Sequence, residues 1–249
     1  MEALLRQFFN IEIMAQAAPL IFRGLGMTLL VCAAVVPLGL AGGLMVALAG
    51  RAHARGVRLV VALLVDVFRA APPLVLLIFV HAGLPFAGLR LSPFASVCTA
   101  FFLNNSAYYG EIYRAGLDSV SAGQREAARS TGLTAWQAMA YVVIPQAVRN
   151  VLPDLVSNTV EVVKLTSLAS VVALPEMLYS ADMARSLTYN SSPIVLAALI
   201  YLVLLWPVVR LMSRMEHRLG SDCSLRDPDA CRPRCGPGSS LLHHWGRRL

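Results

Sequence analysis

Long apolar runs separated by short polar breaks set the plan of the chain. Gly24 to Ala49 holds 26 residues without a charge, beyond the ~20 that a helix needs to cross a bilayer. Pro37 and the LGLAGG stretch predict a kink and close helix packing within it. Ahead of it, residues 1–18 place Leu4, Leu5, Phe8, Phe9, Ile11 and Ile13 among Glu2, Arg6, Asn10 and Glu12. That mixture predicts an amphipathic segment, residues 1–20, lying on the bilayer surface. Val57 to Leu89 is too long for one untilted span and is broken by Asp66, Arg69 and Pro72–Pro73. It predicts an interfacial helix to about Arg69, with an Asp66–Arg69 pair, followed by a span from Ala71 to about Phe86. Ser92 to Gly110 is uncharged, its inner part made polar by Asn104, Asn105, Ser106 and Tyr108. Leu155 to Leu174 has the length of a fourth span but contains Glu161 and Lys164, and Pro193 to Val209 forms a fifth.

Between the third and fourth runs lies a polar stretch, Ser121 to Pro145, punctuated as two short helices. Ser121 is placed to cap the first, with Gln124 three residues on, and Thr134 to cap the second, with Gln137 in the same relation. Gly132 falls where a left-handed residue closes the first helix. Pro145 marks a kink or stop because it has no amide hydrogen. The result is a defined elbow, with Trp136 and Tyr141 facing either core or partner.

Composition agrees with an all-α membrane protein: 57% of residues are hydrophobic, 14% charged, and the mean hydropathy is +0.64, against about 25% charged in soluble domains. The net charge of +7 comes without a basic stripe interleaved with aromatics, which argues against nucleic acid. Basic residues instead mark the cytoplasmic side. Arg51, Arg55 and Arg58 follow the first span, Arg114, Arg125, Arg129 and Arg149 surround the elbow, and Arg210, Arg214 and Arg218 follow the fifth. The opposite side has Arg90 and Arg185, with Arg6 and Arg23 at the N-terminus. Five spans therefore run from an outside N-terminus to a cytoplasmic C-terminus. Residues 21–219 form the transmembrane domain, with the elbow in a cytoplasmic connection, residues 114–149. Residues 220–249 have the composition of a disordered tail. Cys223, Cys231 and Cys235 with His243 and His244 lack a CxxC pair, so no metal site is expected. Residues 1–20 carry Glu2, Arg6 and Glu12 where a signal peptide would be basic and then apolar.

The elbow resembles the EAA loop of permease subunits in ATP-binding cassette importers of type I. Glu126-Ala127-Ala128, three residues, Gly132, nine residues, then Val142, Val143, Ile144 and Pro145 reproduce its spacing, with aliphatic substitutes near the end. Gln124, residues 107–120, 145–153 and 163–172, and Phe68-Arg69-Ala70-Ala71-Pro72 resemble the polar amino acid importers. The likeness runs from about Gly24 to Leu219. It implies five spans, a bacterial inner-membrane location and no catalysis by this chain. The implied partners are a dimer of ABC ATPase subunits, a second permease (itself or a paralogue), an extracytoplasmic solute-binding protein and the bilayer. ATP and magnesium would belong to the ATPase, since no GxxxxGK[ST] loop occurs here. By this resemblance Gln124, Glu126, Ala127, Ala128, Gly132 and Pro145 form the surface that docks on the ATPase.

Ionisable groups at membrane depth suggest function. Glu161 and Lys164, with Asn104 and Asn105, are the candidate substrate residues for an amino acid or a related opine-like solute. Glu161 has a second reading as the partner of Lys164 at i, i+3. Where the resembled family has Lys-Asp-Thr-Ser, Leu165 replaces the aspartate, and Thr166 and Ser167 are expected to bond helix carbonyls. His81 is expected at an interface. A self-sufficient, ion-coupled secondary transporter or channel using Glu161 and Lys164 is the alternative from another class, and five spans without a visible repeat count against it.

Overall fold

The computed structural model describes residues 6–52 and 54–226, with side chains beyond Leu211 described only for Arg214. Among these residues there is no strand. Helix α1, Ile11–Ala49, starts at Asn10, whose Oδ1 accepts from the amides of Glu12 and Ile13 at 3.1 and 3.3 Å. It continues through Pro19 and Pro37, so the segment expected on the bilayer surface and the first span are one helix from Ile11 on. At 1.5 Å per residue its 39 residues extend about 58 Å, well beyond the ~30 Å apolar layer.

Helix α2, Arg55–Ala70, and α3, Pro73–Ile78, meet at the Pro72–Pro73 break. Helix α3 continues through a π turn, Phe79–Gly83, and a 3-10 turn, Leu84–Ala87, and the whole is bent 103° from α2. Helix α4 is Pro93–Ser119, capped by the Ser92 hydroxyl. The elbow supplies α5, Ala122–Ser130, and α6, Ala135–Ala138. A π turn, Met139–Val143, leads into α7, Ile144–Leu165, which tightens to a 3-10 turn, Thr166–Val172. Pro145 therefore does not stop the helix. Its ring would strike the carbonyl of Tyr141 in a regular α-helix, and the wider π turn ends at the residue where that clash would begin to be relieved. Helices α8, Met177–Thr188, and α9, Ser192–Arg226, complete the order. Helix α9 carries regular backbone through residues 220–226 of the expected disordered tail; the remainder of that tail, with Cys231, Cys235, His243 and His244, lies outside the described residues.

Glycines set the closest packing. A Cβ on Gly43 would sit 2.4 Å from Tyr109 Cβ and 2.9 Å from the Gly110 amide nitrogen, so α1 and α4 touch backbone to backbone. Gly39 meets Asn105 and Tyr109, and Val46 meets Gly110, so these two helices run parallel. Helix α7 runs opposite to α4, pairing Val151 with Gly116, Thr159 with Tyr109 and Asn158 with Asn105. Val31, Val35, Leu77, Phe101 and Val162 join α1, α3, α4 and α7 in the main core, while Ile21, Met177, Ala181 and Ala197 join α1, α8 and α9.

Three helical stretches are long and apolar enough to cross a membrane, residues 6–49, 135–172 and 192–211, and α2 with α3 makes a fourth if the bent pair is one span. The five expected spans are thus matched coarsely. Helix α4 is long enough, but Asn104, Asn105 and Ser106 dilute its apolar run.

Candidate functional site

Local bonding builds the elbow. Thr134 and Gln137 form a complete capping box: Thr134 Oγ1 accepts from the Gln137 amide at 3.3 Å, and Gln137 Oε1 accepts from the Thr134 amide at 2.9 Å. At the first helix only half of the expected box is present, with Ser121 Oγ accepting from the Gln124 amide at 3.4 Å. Gly132 has φ +90° and nothing within 4 Å of where a Cβ would stand. Its amide donates to Arg129 O at 3.0 Å, reversing the chain tightly between α5 and α6.

The elbow is bonded to the end of α4, and α4 in turn to the start of α7. Arg125 Nη2 donates to Leu117 O, near the end of α4. Asn150 Nδ2 donates to Ser119 Oγ at 2.8 Å, and that hydroxyl donates to Gly116 O at 2.7 Å. Val120, Val143 and Ala147 form a small core beneath. Outward, Gln124, Glu126, Ala127 and Pro145 are exposed, with Trp136 76% and Tyr141 73% exposed. Trp136 and Tyr141 therefore do not serve this chain's core. Ala128 departs from the expected surface: it is 7% exposed and faces inward. The elbow thus presents a small-residue ridge and a carboxylate, flanked by two aromatic rings.

Charged groups gather nearby. Glu111 accepts both Nε and Nη2 of Arg114, at 3.0 and 2.7 Å, and lies 3.5 Å from Arg69. The Arg69 guanidinium stands over the Tyr108 ring, 5.4 Å from its centre. Arg69 thus pairs across to α4 rather than with Asp66 as expected, because the bend at Pro72 brings the end of α2 onto α4. Arg51 reaches Asp118 at 3.3 Å and joins the ends of α1 and α4.

The four candidate substrate residues separate into two environments. Asn104 and Asn105 are each 1% exposed. Asn104 Nδ2 donates to Phe68 O at 3.0 Å and Asn105 Nδ2 to Phe101 O at 2.8 Å. Both carboxamides are occupied by the helix framework, and Asn105 reaches α7 through Asn158, three residues before Glu161. Glu161 and Lys164 pair at 2.9 Å with side chains 57% and 54% exposed. Lys164 also edges a cavity of about 470 Å³ whose other walls include Ser167, Tyr201, Leu202 and Trp206. Thr166 and Ser167 bond the carbonyls of Val163 and Lys164 at 2.7 and 2.8 Å, as the sequence suggests. His81 Nδ1 lies 3.0 Å from Ser96 Oγ, between α3 and α4.

One acid escapes sequence reading. Glu176 is fully buried and caps α8, accepting from the amides of Tyr179 and Leu178 at 2.6 and 2.8 Å and from the Tyr201 hydroxyl at 3.4 Å. Burial pushes its carboxyl above the usual range, and those bonds oppose the rise. The available signal was an acid placed one residue before an apolar helix.

Comparison with known proteins places this geometry. A family model described as "binding-protein-dependent transport system inner membrane component" matches residues 39–221. The probable amino-acid ABC transporter permease protein YckA of Bacillus subtilis (strain 168) is 34% identical over 195 residues, 78% of this chain and 86% of the relative. The glutamine transport system permease protein GlnP of Escherichia coli (strain K12) is 32% identical over 210 residues, 82% and 94% respectively. A crystal structure of an amino acid ABC transporter with histidines aligns at 36% identity with a TM-score of 0.78, over 82% of this chain and 96% of the other. An inward-facing MetNI methionine ABC transporter, 17% identical with a TM-score of 0.65, shares the fold.

Proposed function

The chain belongs to the family of binding-protein-dependent transport system inner membrane components, a multi-pass membrane permease, and from that membership we propose that it conducts amino acids, or closely related solutes, into the cytoplasm. ATP hydrolysis takes place on a partner ATPase dimer, which binds the ATP and magnesium, and this chain contributes no cofactor chemistry of its own. An extracytoplasmic binding protein delivers the solute, and a second permease, a copy or a paralogue, completes the path. The parallel course of α1 and α4 and the opposed course of α7 support alternating crossings, five with α3 and α9. Together with the arginines beside α1, α4 and α9, they support an outside N-terminus and an elbow in the cytoplasm.

The observation that carries the reading is the elbow, an exposed Glu126–Ala127 ridge closed by a left-handed Gly132, bonded to α4 through Arg125 and continuous along the chain with α7. Docked in a groove of the ATPase, it would pass nucleotide-driven movement to the spans. The residues assigned to it are Gln124, Glu126, Ala127, Gly132 and Pro145, with Ala128 supporting them from within. For the solute, the Glu161–Lys164 pair, whose lysine lines the α7–α9 cavity, supplies one charge of each sign, the complement of a zwitterion. Asn104 and Asn105 hold the helices behind it. The amino acid relatives favour this reading over an ion-coupled carrier or channel.

The test is uptake into proteoliposomes, with and without the ATPase, for the native chain and Gly132→Val. Uptake should require the ATPase and should fall with the β-branched residue. Uptake that persists without ATP, or with Gly132→Val at full rate, would overturn the proposal.

A further inference from the structure

A cavity of about 270 Å³ lies between α1, α2 and α4, walled by Gly42, Val46, Val61, Leu64, Phe68 and Phe102. Ser106 also lines it; it is 6% exposed, and its Oγ has no hydrogen-bond partner among the described residues. The cavity opens beside an unusual helix. Because α2 is bent 103° from α3, it lies close to the membrane plane when α3 crosses the bilayer. Leu59, Val60, Leu63 and Val67 form an exposed apolar flank along it, more than scattered surface residues account for. At its N-terminal end Arg55 and Arg58 are exposed and have no carboxylate partner among the described residues, whereas Arg51 and Arg69 are both paired. Arg58 stands one turn before Val61 and two before Val65, so a free cation borders the cavity wall.

We propose that this is a binding site for an anionic phospholipid of the bilayer, with an acyl chain in the α1–α2–α4 cavity and the phosphate headgroup against Arg55 and Arg58. Its shape and charge select this occupant. A protein helix is about 10–12 Å across, too wide for a cavity of this size. An acyl chain is slender and satisfies the apolar walls, and its negative headgroup meets two unpaired guanidiniums at the depth where α2 lies. The amphipathic helix would then sit on the membrane through a specific lipid as well as through its apolar flank. This rests on the membrane location of the chain and on nothing about its cargo.

The experiment is native mass spectrometry of the purified full-length chain, titrated with phosphatidylglycerol and, separately, with phosphatidylcholine of the same acyl chains. One phosphatidylglycerol per chain should bind saturably and more tightly than phosphatidylcholine. Arginines near a membrane surface contribute about 1 kcal/mol each, so Arg55→Gln with Arg58→Gln should weaken phosphatidylglycerol about tenfold to thirtyfold and leave phosphatidylcholine unchanged. Leu64→Trp, at a half-exposed position that tolerates bulk, should weaken both lipids by filling the cavity. Equal affinity for the two lipids, or indifference to both sets of substitutions, would refute the site. So would efficient disulfide cross-linking of Leu64→Cys between two copies in vesicles, which would make a second chain the occupant. Lipid binding is read without transport, so it fails or stands separately from the uptake experiment.

Discussion

Gly132 offers a substitution whose cost can be isolated. Its φ of +90° lies where side chains are disfavoured, yet nothing lies within 4 Å of the Cβ position. Within this chain a side chain there meets no neighbour, so in the isolated permease the penalty is conformational alone. For an ordinary L-residue the left-handed region costs about 1–2 kcal/mol, less for asparagine and more for a β-branched residue. A penalty of that size changes a two-state ratio about 5–30-fold. The series Gly132→Asn, Gly132→Ala and Gly132→Val should therefore lower ATP-dependent uptake progressively, with alanine about 5–30-fold below the native chain and valine lower still. Global stability should change by no more than the same 1–2 kcal/mol, since the turn sits at an exposed tip. Uptake in proteoliposomes with the partner ATPase, beside thermal unfolding of the purified chain, separates the two effects. Alanine equal to glycine, or asparagine as damaging as valine, would refute an elbow shaped by backbone conformation.

Three further outcomes follow from the packing and the charges. Gly43→Ala forces a methyl into the backbone of α4 and should cost about 1–3 kcal/mol, while Gly26→Ala, with nothing within 4 Å, should gain up to about 1 kcal/mol of helix propensity; thermal unfolding of both variants should move in opposite directions, and a common direction would contradict the α1–α4 contact. Because burial raises the folded-state pKa of Glu176 above its unfolded value, its contribution is fully present at low pH and is lost as pH rises through the folded value. Glu176→Gln should thus flatten the fall in melting temperature as pH rises above the usual carboxylate range, and an unaltered pH profile would exclude this acid as the source. Glu161→Ala and Lys164→Ala each break an exposed pair worth about 0.5 kcal/mol or less, so stability should hold while substrate-stimulated ATPase activity falls; an unchanged substrate response would leave the pair a surface ion pair.

What the sequence made legible was local. Uncharged runs, the Pro72–Pro73 break, the Thr134–Gln137 box and the left-handed Gly132 follow from residues a few positions apart, and each stands where it was expected. The departures from expectation arise from distant partners and from local helix geometry. Arg69 was assigned to Asp66 on its own helix, but Glu111 of α4 takes it, which required knowing that the bend lays α2 against α4. Ala128 was grouped with Ala127 because the two are adjacent, although successive positions on a helix point about 100° apart. Of the kink or stop expected at Pro145 the stop is absent, and the π turn ahead of it has no sequence signature. Asn104 and Asn105 are buried and polar, and their depth and polarity alone do not reveal that their amide nitrogens donate to the carbonyls of Phe68 and Phe101.

The bonding around the elbow limits how force can leave it. Helix α5 is tied by Arg125 to the end of α4, and α4 is tied to α7 through Ser119–Asn150 and the close seat of Val151 on Gly116. Farther in, the same two helices meet again at Tyr109–Thr159 and Asn105–Asn158. The interior polar residues thus have a mechanical task suited to hydrogen bonds rather than to apolar contacts, since directional bonds fix the register in which two helices travel.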